Sequence, residues 1–255
     1  MQTSTRELNV EVLVTDIKNE AFYPVFQPIT NGNGTVGAEV LLRWERGYDV
    51  EASIRCLSDV GKIAWFTQKF LLTVSKVLLS READIEFLTI NISPLHVLSL
   101  TFIRDIYPIW QACNKLGITL WIELTENEQY PVGIDKKRMV SQFGVCRGLG
   151  IKIAIDDYGS GYNVGEALIN VIKPSVLKID RSFMRNRNDN STFWERLRFL
   201  SRKYQIELLS EGIENYDDLS FAKSQGIDYF QGYHLGKPGS LNQLSKQGTG
   251  YCRSQ

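Results

Sequence analysis

The stretch Ile151-Lys-Ile-Ala-Ile-Asp-Asp157 indicates the fold class. Its apolar residues form a short and nearly continuous run, which is typical of a parallel strand that is buried on both faces. Two aspartates follow this run directly, at the point where a buried strand would end. Because an unpaired charge beside an apolar core is costly, these carboxylates need either solvent or a cation as a partner.

Similar apolar runs recur on both sides of this stretch. Helix-length amphipathic segments separate them, for example Trp65–Leu79 and Phe193–Tyr204. The strand-to-strand spacing of roughly 20 to 33 residues matches βα units, and enough such units close into a TIM-type barrel. The other runs are Phe87–Ile92, Ile118–Leu124, Val176–Ile179, Ile206–Leu209 and Tyr229–Phe230.

The beginning of the chain predicts a modification of that barrel. The apolar pattern of residues 7–20 favours a helix, and Asn31-Gly-Asn-Gly34 then provides the turn of a β-hairpin between Tyr23–Gln27 and Val36–Leu42. We therefore expect an α/β fold, a (β/α) barrel of the TIM type whose first strand is antiparallel. No linker composition divides the chain, so we expect an N-terminal helix in residues 1–20, one domain in 21–240 and a tail in 241–255.

Composition excludes several classes of protein. The 255 residues contain 29 Lys and Arg and 29 Asp and Glu, so no basic field draws this domain to nucleic acid or to a membrane. Four distant cysteines and two histidines make a zinc site of Cys and His ligands a poor interpretation. Neither a signal peptide nor an apolar run of about 18 residues is evident, and we expect a cytoplasmic protein with reduced thiols.

Polar residues fall at or near the predicted strand ends. Taken singly, each could be a solvent-facing charge that aids solubility. Together they would converge at the C-terminal mouth of a barrel, where several carboxylates repel one another unless cations intervene. Such oxygen ligands suit Mg²⁺ or Mn²⁺, and a metal pair suits phosphoryl chemistry, so the residues themselves predict a phosphoesterase. The set comprises Glu39, Asn91, Glu123, Asp156, Asp157, Lys178, Glu211 and Gln231.

At these residues the sequence resembles the EAL family of cyclic di-GMP phosphodiesterases, over about residues 20 to 240. The signature triplet here is Glu39-Val-Leu41, with Val40 in place of alanine, and we expect that side chain to point to the face opposite Glu39. The stretch after Trp44 lacks the proline-bearing consensus of the family, which leaves the entrance loop undefined. The matching segments are Gln27-Pro-Ile29, Gly37-Ala-Glu-Val-Leu-Leu-Arg-Trp44, Asn91-Ile-Ser93, Glu123-Leu-Thr-Glu126, Asp156-Asp-Tyr-Gly-Ser-Gly-Tyr162, Leu177-Lys-Ile-Asp-Arg-Ser-Phe183, Ser210-Glu-Gly-Ile-Glu214 and Gln231-Gly-Tyr-His-Leu-Gly-Lys-Pro238.

The resemblance implies a site with two divalent cations, Mg²⁺ or Mn²⁺. It implies that the first is held by Glu39, Asn91, Glu123 and Asp156. Asp156 would bridge to the second, which Asp157 would share directly and Glu211 through water. Glu211 matches the general base of the family, and Lys178 would hold the attacking water or the scissile phosphate. Ca²⁺ is expected to bind and inhibit, because its larger, looser ligand shell misplaces the water.

Further residues match substrate-contacting positions. Gln27, Leu42 and Arg43 are three of them, and Glu214 and Gln231 would complete the pocket wall. The tail residue Tyr251 is either part of a frayed terminus or a ring that stacks on a guanine.

A glycine-bearing loop matches the family's link between dimerisation and metal binding. It contains Gly159, Ser160 and Gly161, and Glu126 matches the residue that anchors it. The alternative for Glu126 is charge compensation at a helix N-terminus. A symmetric homodimer is therefore expected.

The resemblance predicts hydrolysis of cyclic di-GMP to 5′-pGpG in bacterial signalling. The alternative is an inactive domain that binds cyclic di-GMP or a protein. Degenerate domains typically lose a metal ligand or the base, and all of these residues are present here. An upstream domain, such as the DNA-binding domain of some enterobacterial relatives, could add DNA binding or sensing.

Overall fold

Eight strands close into a barrel in the computed structural model, which describes residues 8–80, 84–125, 134–159, 165–186 and 190–244. Neighbours in the barrel follow chain order throughout. The strands are β1 (Phe22–Thr30), β2 (Thr35–Trp44), β3 (Phe87–Ile92), β4 (Thr119–Leu124), β5 (Lys152–Tyr158), β6 (Val176–Ile179), β7 (Glu207–Ser210) and β8 (Tyr229–Phe230).

The first strand is antiparallel to both of its neighbours. β1 pairs with β2 in a register that places Gln27 opposite Glu39, and it closes the barrel by pairing Thr30 with Phe230 of β8. The remaining neighbours are parallel. The predicted TIM-type barrel with an antiparallel first strand is therefore confirmed.

Helices alternate with the strands and cover the outside of the barrel. Their N-termini often have a capping side chain, as at Asn9, Asp49 and Ser93. The helices are α1 (Val10–Lys18), α2 (Val50–Asp59), α3 (Ile63–Leu79), α4 (Pro94–Val97), α5 (Phe102–Leu116), α6 (Ile134–Gly148), α7 (Glu166–Ile172), α8 (Arg181–Arg185), α9 (Ser191–Tyr204), α10 (Tyr216–Ser224) and α11 (Leu241–Leu244). Within the described ranges, no helix combines the length and the apolarity needed to cross a membrane.

Alternation along the strands divides the core into two layers. Outward side chains such as Ile122 and Leu177 pack against the helices. Inward side chains such as Phe87, Trp121 and Leu209 fill the lower barrel, where the rings of Phe87 and Trp121 stack at 3.8 Å. Because both faces of each strand are covered, the strand sequences are continuous apolar runs.

Two elements differ from the sequence expectation. β5 does not end at Ile155 but continues to Tyr158, with a register shift between these residues and a φ of +46° at Asp157. The undefined stretch after Trp44 contains helix α2, which buries Ser53 and Leu57. Val40 lies in the outer layer as expected, on the face of β2 opposite Glu39.

Candidate active site

The site is organised around the ammonium group of Lys178, whose side chain is 1% exposed on β6. Lys178 Nζ lies 2.7 Å from Glu123 Oε2 and 2.7 Å from Glu211 Oε1. It lies 2.9 Å from Asp156 Oδ1 and 3.6 Å from Glu39 Oε2. One cation thus brings together carboxylates from β2, β4, β5 and the residue that follows β7.

Strand alternation explains why these side chains meet. Trp121 and Glu123 lie two residues apart on β4, so both point into the barrel, the ring in the apolar layer and the carboxylate above it. Val176 and Lys178 repeat this arrangement on β6. Because the C-terminal ends of the parallel strands meet at one mouth, the polar layer forms there.

Two amides bind the carboxylate of Glu39. Asn91 Nδ2 donates to Glu39 Oε1 at 2.7 Å, and Gln231 Nε2 donates to Glu39 Oε2 at 2.6 Å. Both amide oxygens stay outside these bonds, and Gln231 Oε1 is buried with no hydrogen-bond partner among the described residues. The two amides therefore fix the orientation of the Glu39 carboxylate at the mouth of the barrel.

Asp157 joins the cluster because β5 is irregular. In a regular strand, consecutive residues point to opposite faces, but the register shift and the left-handed backbone of Asp157 alter this alternation. One ligand oxygen each from Asp156, Asp157 and Glu211 lies within 4.8 Å of the others. That spacing allows the three carboxylates to share an ion.

Burial and mutual repulsion shift the titration of the acids. The pKa of Glu211 is raised to about 7 and that of Asp157 to about 8, in both cases chiefly by loss of solvent and then by neighbouring carboxylates such as Asp156. Burial also raises the pKa of Glu123. Burial opposes the charged form of Lys178, but the surrounding carboxylates outweigh it and raise the pKa of the lysine well above its usual value.

The donor set fits divalent cations. Four carboxylates contact the ammonium group and Asp157 adds a fifth beside them, so the fully ionised cluster has four negative charges in excess, the charge of two divalent ions. Glu123 Oε1 is fully buried and has no hydrogen-bond partner in the described part of the chain. Such an oxygen is costly without a cation, and hard oxygen ligands are those preferred by Mg²⁺ and related ions.

A cavity of about 530 Å³ opens beside the cluster. Asn91, Asp156 and Arg43 line it. Arg43 Nη1 donates to the Leu42 carbonyl oxygen at 2.7 Å. The Leu42 side chain is 7% exposed and packs in an apolar cluster with α1 and α2, although this residue also borders the cavity. Gln27 is placed opposite Glu39, and its Nε2 lies 3.4 Å from the carbonyl oxygen of Gly236.

Of the remaining predicted residues, the structure describes Glu214 and Gly159. Glu214 is at the surface, where its carboxylate accepts from Arg185 at 3.1 Å and is 59% exposed. Gly159 is described and has a φ of +110°. Glu126, Ser160, Gly161 and Tyr251 fall outside the described residues. Their predicted roles stay predictions.

The sequence reasoning missed the contribution of α2 to the cavity. Residues Val50, Ile54 and Arg55 of this helix line the same cavity as Asn91 and Asp156. The signal was present in the helical spacing of Val50, Ile54 and Leu57 after a capping Asp49. The stretch does not follow the family consensus, so the resemblance alone assigns no residue of α2 to the site.

The chain is similar in sequence to proteins that are named cyclic di-GMP phosphodiesterases. The chain is 29% identical over 248 residues to the Escherichia coli K12 protein named "Probable cyclic di-GMP phosphodiesterase PdeG", covering 92% of this chain and 48% of that protein. It is 26% identical over 243 residues to "Cyclic di-GMP phosphodiesterase PdeL" of the same strain, covering 89% of this chain and 65% of PdeL. The chain thus spans about half the length of PdeG.

Among solved structures, a standalone EAL protein from Vibrio cholerae O395 in its c-di-GMP-bound form is 25% identical, with a TM-score of 0.67. The likeness covers 86% of this chain and 93% of that one. A sequence model of the EAL domain matches residues 10–238, which include all eight strands of the barrel. The chain belongs to the EAL domain family.

Proposed function

We propose that the chain is a metal-dependent phosphodiesterase that hydrolyses cyclic di-GMP to linear 5′-pGpG. The observation behind the proposal is the cluster of five carboxylates around Lys178 at the mouth of an EAL-family barrel. The substrate is taken from the relatives, since PdeG and PdeL are named for this activity and the V. cholerae protein has c-di-GMP bound.

Two divalent cations would occupy the cluster. Glu39, Asn91, Glu123 and Asp156 would hold the first, and Asp156 would be shared with a second beside Asp157 and Glu211. When bound, such ions neutralise phosphate charge and lower the pKa of a coordinated water. The unpartnered oxygen of Glu123 supports the first position, and the close oxygens of Asp156, Asp157 and Glu211 support the second.

Glu211 is proposed as the general base. Without a bound metal, burial and neighbouring acids raise the pKa of Glu211 to about 7, and adjacent cations would favour its ionised form, which is the form that accepts a proton. Lys178 Nζ at 2.7 Å fixes one oxygen of this carboxylate. Since Lys178 retains its proton, it orients the base and attracts the phosphate, and Glu211 removes the proton from the attacking water.

The test is hydrolysis of cyclic di-GMP after chelator treatment, with products separated by chromatography. We expect 5′-pGpG with Mg²⁺ or Mn²⁺ and none with EDTA. We expect no turnover with Ca²⁺, because a larger and looser ligand shell misplaces the water. Full turnover in Ca²⁺ alone would contradict the metal assignment, and binding without turnover in any metal would favour a receptor.

A symmetric homodimer completes the proposal. It is supported by the resemblance of residues 157–162 to the loop that links dimerisation to metal binding in the EAL family. No nucleic acid or membrane partner is proposed for this domain, since its formal net charge is zero. A cyclic dinucleotide messenger acts inside the cell, so we place the reaction in the cytoplasm. Sedimentation at assay concentrations tests the dimer, and fully active monomer would refute it.

A further inference from the structure

The cavity beside the carboxylates has a second charged wall. Asn91 and Asp156 border it at the barrel mouth, and Glu51 and Arg55 of α2 border it as well. Its volume of about 530 Å³ is within the range of roughly 300–1,000 Å³ found for pockets that enclose a small ligand. One ligand could therefore contact both the carboxylate cluster and α2.

Helix α2 is held firmly in place. Trp44 Nε1 donates to Ser53 Oγ at 2.8 Å, and Ser53 and Leu57 are fully buried. The Asp49 side chain caps the helix by accepting from Ala52 N at 2.8 Å. With one face of the helix fixed, the opposite residues have a defined position along the cavity.

Arg55 is the unassigned cation of this cavity. Among the described lining residues, the cationic side chains are Arg43 and Arg55. Arg43 lies on β2, four residues from Glu39, and already matches a substrate-contacting position of the family. Arg55 pairs with Glu51 at 2.6 Å, but both side chains are about two-thirds exposed, at 69% and 65%. Exposed pairs of this kind are weak and exchange readily for a better partner.

A cyclic dinucleotide has two phosphodiesters on opposite sides of its ring, each with one negative charge. When one is at the carboxylate cluster, the other must lie farther out in the cavity. We propose that Arg55 binds this second phosphodiester, the one that is not cleaved, with its two-pronged guanidinium. This inference rests on the proposed function. Arginine suits the task because its planar donors match two phosphate oxygens at once.

The experiment measures the dissociation constant for cyclic di-GMP by calorimetry in Ca²⁺, so that the result does not depend on turnover. Arg55→Ala should weaken binding about tenfold or more, and in Mg²⁺ it should raise KM more than it lowers kcat. Arg55→Lys should retain part of the affinity. Arg202→Ala, which removes an arginine on α9 outside this cavity, is the matched control and should leave the affinity unchanged.

Glu51→Gln separates phosphate binding from a structural role of the pair. It removes the partner of Arg55 and a negative charge, so it should leave affinity unchanged or tighten it. Equal weakening by Arg55→Ala and Glu51→Gln would overturn the inference, as would an unchanged affinity for Arg55→Ala. If the wild type binds cyclic di-GMP but does not turn it over in Mg²⁺, the proposed hydrolase activity is rejected. The dissociation constants of the variants still decide whether Arg55 binds the second phosphodiester. No wild-type binding would reject both.

Discussion

Asp156 and Asp157 are neighbours in the chain but hold different positions in the site. Asp156 Oδ1 contacts Lys178 at 2.9 Å, in line with the other inward residues of the barrel. Asp157 adopts a left-handed backbone, and its carboxyl group has a pKa raised to about 8 by burial and by nearby acids. The two aspartates are therefore expected to tolerate neutralisation differently.

Asp156→Asn should abolish hydrolysis, because it removes a charge that both proposed cations share. Asp157→Asn should lower the rate but recover partly at high Mn²⁺, which binds oxygen and nitrogen ligands more readily than Mg²⁺. Rates across a metal titration distinguish the two, with Asp217→Asn on the first turn of α10 as a matched control. If both variants are equally inactive at every metal concentration, the division of roles is wrong. If both remain active, the metal site itself is refuted.

Glu211→Gln tests the base directly. The amide preserves the shape but cannot accept a proton, so cyclic di-GMP should still bind while kcat falls about 10²–10⁴-fold. Calorimetry for binding and a product assay for turnover make the comparison. Glu195→Gln on α9 is the control for an exposed glutamate. A rate within a few-fold of the wild type would assign the base to another residue.

At the level of elements, apolar runs predicted the strands well. The expected runs Phe87–Ile92, Val176–Ile179 and Tyr229–Phe230 coincide with β3, β6 and β8. Such strands are buried on both faces, so their composition reveals them directly. The end of β5 could not be predicted. Asp156 and Asp157 continue the strand beyond its apolar run because their partners lie on other elements, which the local sequence does not reveal. The charged site is thus visible in sequence, whereas its backbone irregularity is a tertiary effect.

The turn after β5 depends on a glycine. Gly159 has a φ of +110°, and a Cβ there would lie 2.6 Å from the ring of Phe183. That ring is stacked on Phe193 with centroids 3.8 Å apart, so it has little room to move. The backbone at Gly159, directly after β5, is therefore packed closely against this ring pair.

Gly159→Ala should destabilise the protein by about 2–4 kcal/mol, through backbone strain and the contact with Phe183. Gly150→Ala is the matched control, since its φ is +77° and no atom lies within 4 Å of the added Cβ. This control should cost only about 1–2 kcal/mol. Urea unfolding measures both changes, and equal losses would show that the Phe183 contact is unimportant.

For the whole molecule, the barrel places an acidic cluster above an apolar layer. Phe87, Trp121 and Leu209 fill the lower interior, and the polar residues at the mouth lie directly above them. The solvent-poor environment that favours cation binding also penalises the ionised carboxylates when no cation is bound. Folding, proton binding and metal binding are therefore linked in this protein.

That linkage predicts how stability depends on pH. The folded-state pKa values of about 7 for Glu211 and about 8 for Asp157 exceed the unfolded values of about 4. The folded state therefore binds more protons, and its stability falls as pH rises from about 4 through 8. Lys178 does not titrate in this window, because its pKa is raised above its usual value.

With EDTA present, the midpoint of thermal unfolding should therefore decrease between pH 6 and pH 8.5. Bound Mg²⁺ or Mn²⁺ favours the ionised carboxylates, so the added metal should raise the midpoint more at pH 8.5 than at pH 6. Asp157→Asn removes one of the titrating groups, and its midpoint in EDTA should depend less on pH than that of the wild type. Differential scanning calorimetry at both pH values makes the measurement. An equal metal effect at the two values would mean that protons and cations do not compete for these carboxylates.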